Sequence, residues 1–220
     1  MKPTAISILS GGLDSTTATK LALQDYQVVL AITFDYGQRA AQKEMAAAKH
    51  FCNKEGIKHQ MIEIPWLASW TKTSLVNQQR EIPEVEVKEL DLNHDADLER
   101  AKNVWVPNRN GVFISIAAAA AESIEAEAVI TGFNEEEAAS FPDNSQSYLE
   151  AITGSLSFST LNQVKVISPT IRLNKTEVFR TAVHLGINPD KLWWCYQGGD
   201  KPCRKCESCT RNLRAAEAVL

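Results

Sequence analysis

The stretch "ILSGGLDSTTATKLAL" at residues 8–23 decides the fold class. The apolar end of a predicted strand runs into two glycines, an aspartate and several hydroxyl side chains, and then into an apolar-periodic segment that predicts a helix. Gly11 and Gly12 permit the positive φ angles and close backbone approach that a strand-to-helix turn over an anion requires. Because the loop amides and the helix start then face one point, the predicted ligand is a phosphate group.

Polar side chains in the same loop agree with a phosphate ligand. Ser10, Ser15 and Thr16 add hydroxyl donors around that point. Asp14 is unfavourable beside an anion unless a cation is present, so it predicts magnesium together with the phosphates. A glycine-rich turn also fits an ordinary, well-capped strand-to-helix connection, so the rest of the chain has to decide between the two readings.

Two common nucleotide signatures are missing from the sequence. No Gly is followed by Lys, which excludes a Walker A loop, and no Gly-x-Gly-x-x-Gly follows the first strand. Hydrolysis of ATP at the γ-phosphate and dinucleotide redox chemistry are therefore disfavoured. Instead, "SGGLDST" at 10–16 resembles the PP-loop of the ATP pyrophosphatase superfamily, which cradles the β and γ phosphates while a substrate oxygen attacks the α-phosphorus. The resemblance implies an ATP-binding loop of Leu9, Ser10, Gly11, Gly12, Leu13, Asp14, Ser15, Thr16 and Thr17.

Length, composition and charge point to a protein that acts on small molecules. A chain of 220 residues with 44% hydrophobic content can bury the core of one α/β domain with an appendage. The net charge of -4 argues against broad electrostatic binding to nucleic acid or an anionic membrane. The opening residues 1–9 lack a signal-peptide core, and the uncharged apolar run at 111–121 is too short to cross a bilayer. The sequence therefore predicts a cytoplasmic protein.

Strand and helix signals alternate along the chain. Five short runs are rich in Val, Ile and Leu, at residues 4–9, 28–34, 58–64, 127–131 and 164–168. Longer segments with helical spacing separate them. This alternation predicts a doubly wound, mostly parallel α/β sheet wrapped by helices.

Three helices have recognisable signals. An alanine-rich helix is predicted over 113–127, and a helix with a capping box of Asn174 and Glu177 is predicted to stop at Gly186. A third helix is predicted to end at Gly56. Its buried face carries apolar residues at helical spacing, namely Ala41, Met45, Ala48 and Cys52, which makes the last a core residue.

Residues 66–110 differ from the rest because they are broken by prolines, are acidic in their second half, and are too long for an ordinary connection. They predict a lid or an insertion that orders on ligand binding. At its end, "PNRNG" (107–111) crowds the polar side chains of Asn108, Arg109 and Asn110 into a turn before an apolar helix, an unusual placement for packing alone. Gly111 is predicted to permit a sharp entry into that helix.

Four cysteines crowd into "CYQGGDKPCRKCESC" at 195–209. Spacings of eight, three and three let short turns bring four thiolates around one ion, which predicts a closed, structural zinc site. An iron–sulfur cluster and free thiols in a polar tail are the alternatives. The ligands of the predicted site are Cys195, Cys203, Cys206 and Cys209.

Three further stretches extend the resemblance: "DYGQR" at 35–39, "VPNRNGVFISIAAAAAE" at 106–122 and "TGFNEEEAASFPDNS" at 131–145. With the PP-loop and the cysteines they resemble, over nearly the whole chain, the 7-cyano-7-deazaguanine synthases of queuosine precursor biosynthesis. One departure is Arg204, which stands where that resemblance leads us to expect glycine.

The resemblance implies an adenine nucleotide alpha hydrolase-like fold and an ATP-dependent carbon–nitrogen ligase. The carboxylate of 7-carboxy-7-deazaguanine would attack ATP, ammonia would displace AMP, and a second ATP would convert the amide into the nitrile. It also implies Mg²⁺, Zn²⁺ and a homodimer. We expect an ATP-binding domain at 1–187 and a zinc-binding region at 188–220.

Site roles follow from the same resemblance and from chemistry. Cationic side chains would neutralise charge at the α-phosphorus, and carboxylates would pair with the N1 and exocyclic amine donors of a guanine ring. The predicted catalytic residues are Ser10, Asp14, Ser15, Arg109 and Lys175. The predicted substrate-binding residues are Tyr36, Gln38, Arg39, Asn108, Asn110, Asn134, Glu136, Glu137 and Asp143. As alternatives, Arg39 and the adjacent glutamates are also typical of solvated surface, and Lys175 of an ordinary first-turn helix residue.

Two other functions remain open at this point. A PP-loop tRNA thiolase would need a reactive cysteine near the ATP loop and a basic RNA-binding face. A non-catalytic zinc-ribbon binding protein would use the PP-loop domain only as a scaffold and would not release pyrophosphate.

Overall fold

The computed structural model describes residues 1–90 and 94–220, with side chains placed in all of these except 94–96. The strands are β1 (Thr4–Ile8), β2 (Gln27–Asp35), β3 (Lys58–Glu63), β4 (Ala128–Ile130) and β5 (Lys165–Ile167). The helices are α1 (Leu13–Ala22), α2 (Ala41–Glu55), α3 (Trp66–Ser69), α4 (His94–Val104), α5 (Arg109–Ser123), α6 (Glu135–Ala138), α7 (Gln146–Ser159), α8 (Lys175–His184) and α9 (Glu207–Glu217).

The five strands form one parallel sheet in the order β3-β2-β1-β4-β5. All five predicted strands are confirmed, each to within one residue at either end. The strand order reverses between β1 and β4, and open α/β sheets bind ligands in the crevice outside the carboxyl ends at such a point. The glycine-rich loop follows β1, and the stretch that begins with Thr131 follows β4, so two predicted ligand-binding segments meet there.

Helices cover both faces of the sheet, which confirms the doubly wound fold. On one face, α1 and α2 pack Ala18 and Phe51 against Ala5 and Ala31. On the other face, residues of α5 and α7 pack against the opposite side of β1 and β2. Cys52 is fully buried among the α2 contacts, as its place on the apolar face predicts.

The predicted limits of α2 and α8 are confirmed. Gly56 adopts a left-handed conformation (φ 69°) and caps α2, and its N–H donates to the Cys52 carbonyl. At the start of α8 the Asn174 side chain accepts a hydrogen bond from the backbone of Glu177, whose side chain accepts one in return. Gly186, two residues beyond α8, also has a positive φ.

The predicted start of the alanine-rich helix is wrong. α5 spans Arg109–Ser123 rather than 113–127, because Asn108 precedes it in a left-handed conformation (φ 52°) and the next residues already form its first turn. Gly111 therefore lies inside the helix instead of providing a sharp entry. It leaves room for the Asn108 amide, whose Oδ1 lies 2.2 Å from where a Cβ of residue 111 would be.

Residues 66–110, of which 91–93 lie outside the described residues, pack against the domain. Leu67, Leu75 and Val104 are buried in the same core as the sheet. The segment also contacts the C-terminal region, since the Val85 N–H donates to the Lys205 carbonyl at 2.9 Å. This segment therefore connects the sheet core to the cysteine region.

The C-terminal helix α9 packs against α8 in a cluster that includes Leu13, Phe179 and Ala215. Upstream of α9, the Trp193 N–H donates to the Gly11 carbonyl at 2.9 Å, so the C-terminal region touches the glycine-rich loop. Among the described helices, none has both the length and the apolar content that crossing a bilayer requires.

Candidate active site

A cavity of about 240 Å³ opens at the carboxyl ends of β1, β2 and β4, and we call it the sheet-edge cavity. Its walls come from the glycine-rich loop, the end of β2, the first turns of α5 and the stretch that follows β4. Trp193, Trp194 and Tyr196 close one side from the C-terminal region. Part of this wall comes from the 66–110 segment, through Leu75 and Val104.

The glycine-rich loop is pressed against α2. Gly11 has a φ of 76°, and a Cβ there would lie 2.6 Å from both the Glu44 carbonyl oxygen and the Ala48 nitrogen. Any other residue would be strained in its backbone and would clash with a rigid helix. The loop is closed by hydroxyls, because the Ser10 and Ser15 Oγ atoms lie 3.0 Å apart and the Gly12 N–H donates to Ser10 Oγ.

The structure brings six of the nine predicted ATP-loop residues to the cavity wall, namely Leu9, Ser10, Gly12, Leu13, Asp14 and Ser15. Gly11 faces α2 instead. Thr16 and Thr17 are fully buried in α1, and the Thr17 hydroxyl donates to the Leu13 carbonyl at 2.7 Å. The sequence could not separate these two hydroxyls from those of Ser10 and Ser15, because their direction depends on where the helix begins.

Asp14 belongs to a buried charged cluster. The Lys175 ammonium donates to Asp14 Oδ2 and to Glu137 Oε1, each at 2.7 Å, and only 2% of its side chain is exposed. Asn134 donates to Asp14 Oδ1 at 3.1 Å and caps α6 by accepting the Glu137 N–H at 2.9 Å. Three segments distant in sequence thus meet at one carboxylate beside the loop.

Burial and charge set the protonation of this cluster. Burial raises the pKa of Asp14 to about 6, although the Lys175 charge opposes the rise. Burial alone would lower the pKa of Lys175, but the two carboxylates outweigh it and raise the pKa. For Glu137, burial acts against the Lys175 charge, and the charge prevails and lowers the pKa. Asp14 is therefore the member that titrates near neutral pH.

Glu136, predicted to bind substrate, faces away from the sheet-edge cavity. Its Oε1 accepts hydrogen bonds from Arg211 Nη1 and Arg214 Nη2, each at 2.5 Å, and its Oε2 accepts the Lys175 backbone N–H at 3.2 Å. Both arginines lie on α9. The position of Glu136 thus joins α6, α8 and α9.

The end of β2 contributes a fixed polar group. The Gln38 amide accepts the Tyr36 N–H at 2.9 Å and donates to the Phe34 carbonyl at 3.0 Å and to Glu44 Oε2 at 2.9 Å. Glu44 lines the cavity, and burial raises its pKa. Sequence reasoning missed Glu44, because an acidic residue in the first turn of a helix is an ordinary pattern.

The two predicted arginines have different surroundings. Arg109 lines the cavity, and its Nη1 donates to the Tyr36 hydroxyl at 3.1 Å. Arg39 instead donates to the Asn77 carbonyl at 2.8 Å and to Gln197 Oε1 at 3.2 Å, so its guanidinium holds two loops together. The structure does not place Arg39 on the cavity wall.

Of the predicted asparagines and Asp143, some line the cavity and others do not. Asn110 lines the cavity, whereas Asn108 turns its amide toward Gly111. Asp143 lies behind the wall, where its Oδ1 accepts a hydrogen bond from Asn144 at 3.2 Å. Asn134 is fully buried at the α6 cap, where it contacts the cavity-lining residues Asp14 and Glu137.

Aromatic side chains form much of the remaining wall. The Phe34 and Phe113 rings stack with centroids 4.2 Å apart, and Tyr36 lies 5.7 Å from Phe113. Phe133 and Phe141 also line the cavity. Of these, only Tyr36 and Phe133 could be suspected from their places at strand ends. A flat heterocycle fits such a wall.

The ligand atoms of the four C-terminal cysteines lie within 4.8 Å of one another. The Sγ atoms of Cys203 and Cys209 are 3.9 Å apart, and a tetrahedral ion with Zn–S bonds of about 2.3 Å holds its sulfurs about 3.8 Å apart. The backbone N–H groups of Cys203 and Cys206 donate to cluster sulfurs at 3.2 and 3.3 Å. The cluster could hold a metal ion such as zinc, and its compactness favours a single ion over a multinuclear cluster.

Hydrogen bonds among the cysteine thiols shift their pKa values in opposite directions. Hydrogen bonds from Cys206 and Cys209 lower the pKa of Cys195, and the same contact with Cys195 raises the pKa of Cys206 to about 12. Cys195 is therefore the thiol that these contacts favour for ionisation, and ionisation of all four would need a cation between them.

Comparisons with known proteins match the chain over almost its full length. A family model described as queuosine biosynthesis protein QueC matches residues 4–220. The 7-cyano-7-deazaguanine synthase of Pelotomaculum thermopropionicum is 50% identical over 215 residues, which are 98% of this chain and 97% of that protein. The synthase of the same name from Methanosarcina mazei is 45% identical over 217 residues, covering 98% of this chain and 94% of that protein.

Among solved structures, the fold is similar to that of a 4-thiouridine synthetase in complex with RNA and bound ATP. The TM-score is 0.50 at 18% sequence identity, and the match covers 99% of this chain and 50% of that chain. At this identity the likeness concerns the fold alone.

Proposed function

The chain belongs to the family described as queuosine biosynthesis protein QueC, and from that premise we propose that it converts 7-carboxy-7-deazaguanine and ammonia into 7-cyano-7-deazaguanine with ATP. Full-length relatives at 50% and 45% identity carry the name of that synthase. The protein is accordingly an enzyme, and its PP-loop-type fold suits an ATP-dependent ligase that releases AMP and pyrophosphate.

One observation carries the proposal. The glycine-rich loop and the aromatic wall open onto the same cavity, at the strand switch point where α/β sheets bind ligands. A phosphate chain held at the loop would therefore lie within reach of a heterocycle on the wall. Adenylation of a base-linked carboxylate needs this arrangement, because the carboxylate oxygen has to reach the α-phosphorus.

In the first half-reaction the substrate carboxylate attacks the α-phosphorus of ATP, and pyrophosphate leaves. The Ser10 and Ser15 hydroxyls and the Gly12 amide hold the β and γ phosphates. Arg109, positioned by Tyr36, neutralises charge on the phosphate oxygens. Lys175 touches Asp14 rather than the cavity, so it acts as a positioning residue.

The second half-reaction begins with ammonia. It displaces AMP from the acyl-adenylate, with loss of a proton, and leaves a primary amide. The amide oxygen then attacks a second ATP, pyrophosphate leaves and the nitrogen loses one proton. Loss of AMP together with the second N–H proton yields the nitrile. One cavity serves both cycles, because each cycle activates an oxygen at the same carbon of the bound base.

The residues present fit the two metals that the family implies. Asp14 accepts hydrogen bonds from Lys175 and Asn134 and keeps lone pairs for Mg²⁺ at the loop. Bound there, Mg²⁺ would neutralise charge on the departing pyrophosphate. The four cysteines would hold Zn²⁺ in a closed structural site, since four protein ligands leave no open position.

The proposal also covers the domain organisation, cellular location and oligomeric state of the protein. Residues 1–187 form the ATP-binding domain, and 188–220 form a zinc-binding region that also supplies the Trp193 side of the cavity. We assign the protein to the cytoplasm as a homodimer that acts on small molecules without nucleic acid. The 66–110 segment serves as a packed insertion, and the exposed Trp66 and Trp70 on it suit a partner contact.

Cysteine placement disfavours the tRNA thiolase alternative. Cys52 is fully buried in the core, and burial raises the pKa of its thiol to about 11, so it is a poor nucleophile. The other four cysteines of the chain form the C-terminal cluster. Sulfur delivery from the chain itself has no suitable thiol beside the ATP loop.

The test is pyrophosphate release by purified protein with Mg²⁺, ATP and ammonium, with and without 7-carboxy-7-deazaguanine, followed by mass spectrometry of the base. We expect release that depends on the base and is matched by appearance of the nitrile. ATP binding without base-dependent release would contradict the proposal. Ser15→Ala serves as the matched loss-of-function variant, because it removes one loop hydroxyl.

A further inference from the structure

The carboxylates on the wall of the sheet-edge cavity differ in their partners. Among the described residues these are Asp14, Glu44 and Glu137. Asp14 and Glu137 share the Lys175 ammonium at 2.7 Å each. Glu44 instead accepts a neutral hydrogen bond, from the Gln38 amide to its Oε2 at 2.9 Å. Because a carboxylate has about four lone-pair sites, Glu44 keeps acceptor capacity for a ligand in the cavity.

Gln38 fixes the position of the Glu44 carboxylate. Its own amide is oriented by the backbone, since it accepts the Tyr36 N–H and donates to the Phe34 carbonyl. The remaining amide hydrogen goes to Glu44. Gln38, predicted to bind substrate, is therefore committed to the protein and holds the carboxylate at the end of β2.

The same two backbone partners of Gln38 belong to the aromatic wall. Phe34 stacks on Phe113 at 4.2 Å, and Tyr36 lies against Phe113 at 5.7 Å. A flat ring bound along this wall would present one of its edges toward Glu44. The predicted substrate-binding residues that follow β4 are engaged by other partners; these are Asn134, Glu136, Glu137 and Asp143.

We propose that Glu44 determines base specificity by accepting hydrogen bonds from the N1–H and the 2-amino group of the deazaguanine ring. This assignment rests on the proposed function. The guanine-type edge offers two adjacent donors, which match the two oxygens of one carboxylate. The corresponding edge of adenine places an acceptor nitrogen beside its amine, and Glu44 would repel that nitrogen. The residue therefore separates the substrate base from the adenine of ATP.

The experiment compares 7-carboxy-7-deazaguanine with its analogue that lacks the 2-amino group, in the wild-type enzyme and in Glu44→Gln. We expect the wild type to prefer the parent base about 10- to 100-fold in kcat/KM, as for a charge-assisted hydrogen bond. Glu44→Gln is expected to lose a similar factor on the parent base, to lose the preference, and to keep the KM for ATP. Glu44→Asp keeps the charge and is expected to retain part of the preference.

Glu55→Gln, at the other end of α2 and paired with Lys20, is the matched control and is expected to keep wild-type kinetics. Thermal unfolding of each variant verifies the fold, and Glu44→Asp provides the comparison if Glu44→Gln is unstable. A full preference retained by Glu44→Gln, or a raised KM for ATP instead, would overturn the assignment alone. Failure of the wild type to convert the parent base would overturn the proposed function and this assignment with it.

Discussion

At the scale of single residues, we expect Asp14 to make the proposed ATP loop sensitive to pH. Burial raises the pKa of its carboxyl to about 6. The charged neighbours that face it are Lys175, which lowers this pKa, and Glu137, which raises it. In the proposed site Mg²⁺ binds only the ionised carboxylate, so protons and metal compete for it. We expect the apparent affinity for Mg²⁺ to be constant above about pH 6 and to fall about tenfold for each pH unit below it.

The measurement is pyrophosphate release as a function of Mg²⁺ concentration between pH 5 and 8. Asp14→Asn removes the titrating group and is expected to be weakly active, with a Mg²⁺ dependence that retains only the protonation of ATP itself. An identical pH profile in the two proteins would show that Asp14 does not ligate the metal.

Arg204 gives a second prediction at this scale. Arg204 lies between Cys203 and Cys206 and has a φ of 63°. Glycine adopts this left-handed conformation more readily than other residues, which agrees with the glycine that the family resemblance leads us to expect there. A left-handed conformation costs a non-glycine residue about 1 kcal/mol. Glycine avoids this cost, but it loses more conformational entropy on folding, which offsets part of the gain. We therefore expect Arg204→Gly to raise the thermal midpoint slightly.

Arg180→Gly, on the exposed face of α8, is the control for Arg204→Gly. Glycine at this helical position should lower the free energy of unfolding by about 1 kcal/mol. Differential scanning calorimetry of the metal-loaded proteins measures both. A lower midpoint for Arg204→Gly would mean that the arginine makes a stabilising contact that outweighs its backbone strain.

At the scale of secondary-structure elements, Glu136 links α6, α8 and α9. Its carboxylate is 13% exposed and binds Arg211 and Arg214, and Arg211 also pairs with Glu207. Removing the Glu136 charge takes a negative partner away from two mostly buried arginines, which lowers the free energy of unfolding by about 2 kcal/mol or more. Because α6 also carries Glu137, we expect Glu136→Gln to lower both the thermal midpoint and kcat.

Glu99→Gln is the control for this element-scale prediction, since its pair with Lys102 is exposed on both sides and should contribute little. The two variants are compared by calorimetry and by steady-state kinetics with saturating ATP. Equal midpoints for the two variants would show that the Glu136 charge does not stabilise the position of α9.

Elements were predicted better than the site they build. The five strands and the limits of α2 and α8 follow from local signals, such as the Asn174 capping box and Gly56. The predicted start of α5 was wrong because Asn108 takes a left-handed conformation and the helix begins at the next residue. The Asn108 amide lies against Gly111, a contact that the local pattern does not indicate. The helix then presents Arg109 on its first turn, which a start at residue 113 would not have done.

At the scale of the whole molecule, the C-terminal region that carries the cysteine cluster contacts the glycine-rich loop. Cys206 precedes α9 as its N-cap residue and forms an antiparallel β-bridge with Glu84 of the 66–110 segment, and the Trp193 backbone N–H donates to the Gly11 carbonyl. We expect Cys206→Ser to lose bound metal, to expose Trp193 and Trp194 with a red-shifted fluorescence, and to weaken ATP binding. Metal content by mass spectrometry and ATP binding by calorimetry measure these effects.

Cys52→Ala is the matched control because Cys52 is a core residue outside the cluster. It is expected to keep the metal content while losing some stability to the vacated volume. Unchanged ATP binding in metal-free Cys206→Ser would show that the C-terminal region does not support the loop.

What the sequence determined by itself was carried by contiguous residues. The loop at 10–16, the alternation of strands and helices, and the spacing of Cys195 to Cys209 are local patterns whose physics acts over a few residues, so they predict the phosphate loop, the parallel sheet and the metal cluster. Only the tertiary structure decided which side chains face the cavity. Glu136 joins helices, Gln38 orients another side chain, and Glu44 is the carboxylate that remains beside the aromatic wall. These assignments depend on partners far away in the chain, because a buried polar group takes whichever charge or donor the packing brings to it, and no local pattern records that partner.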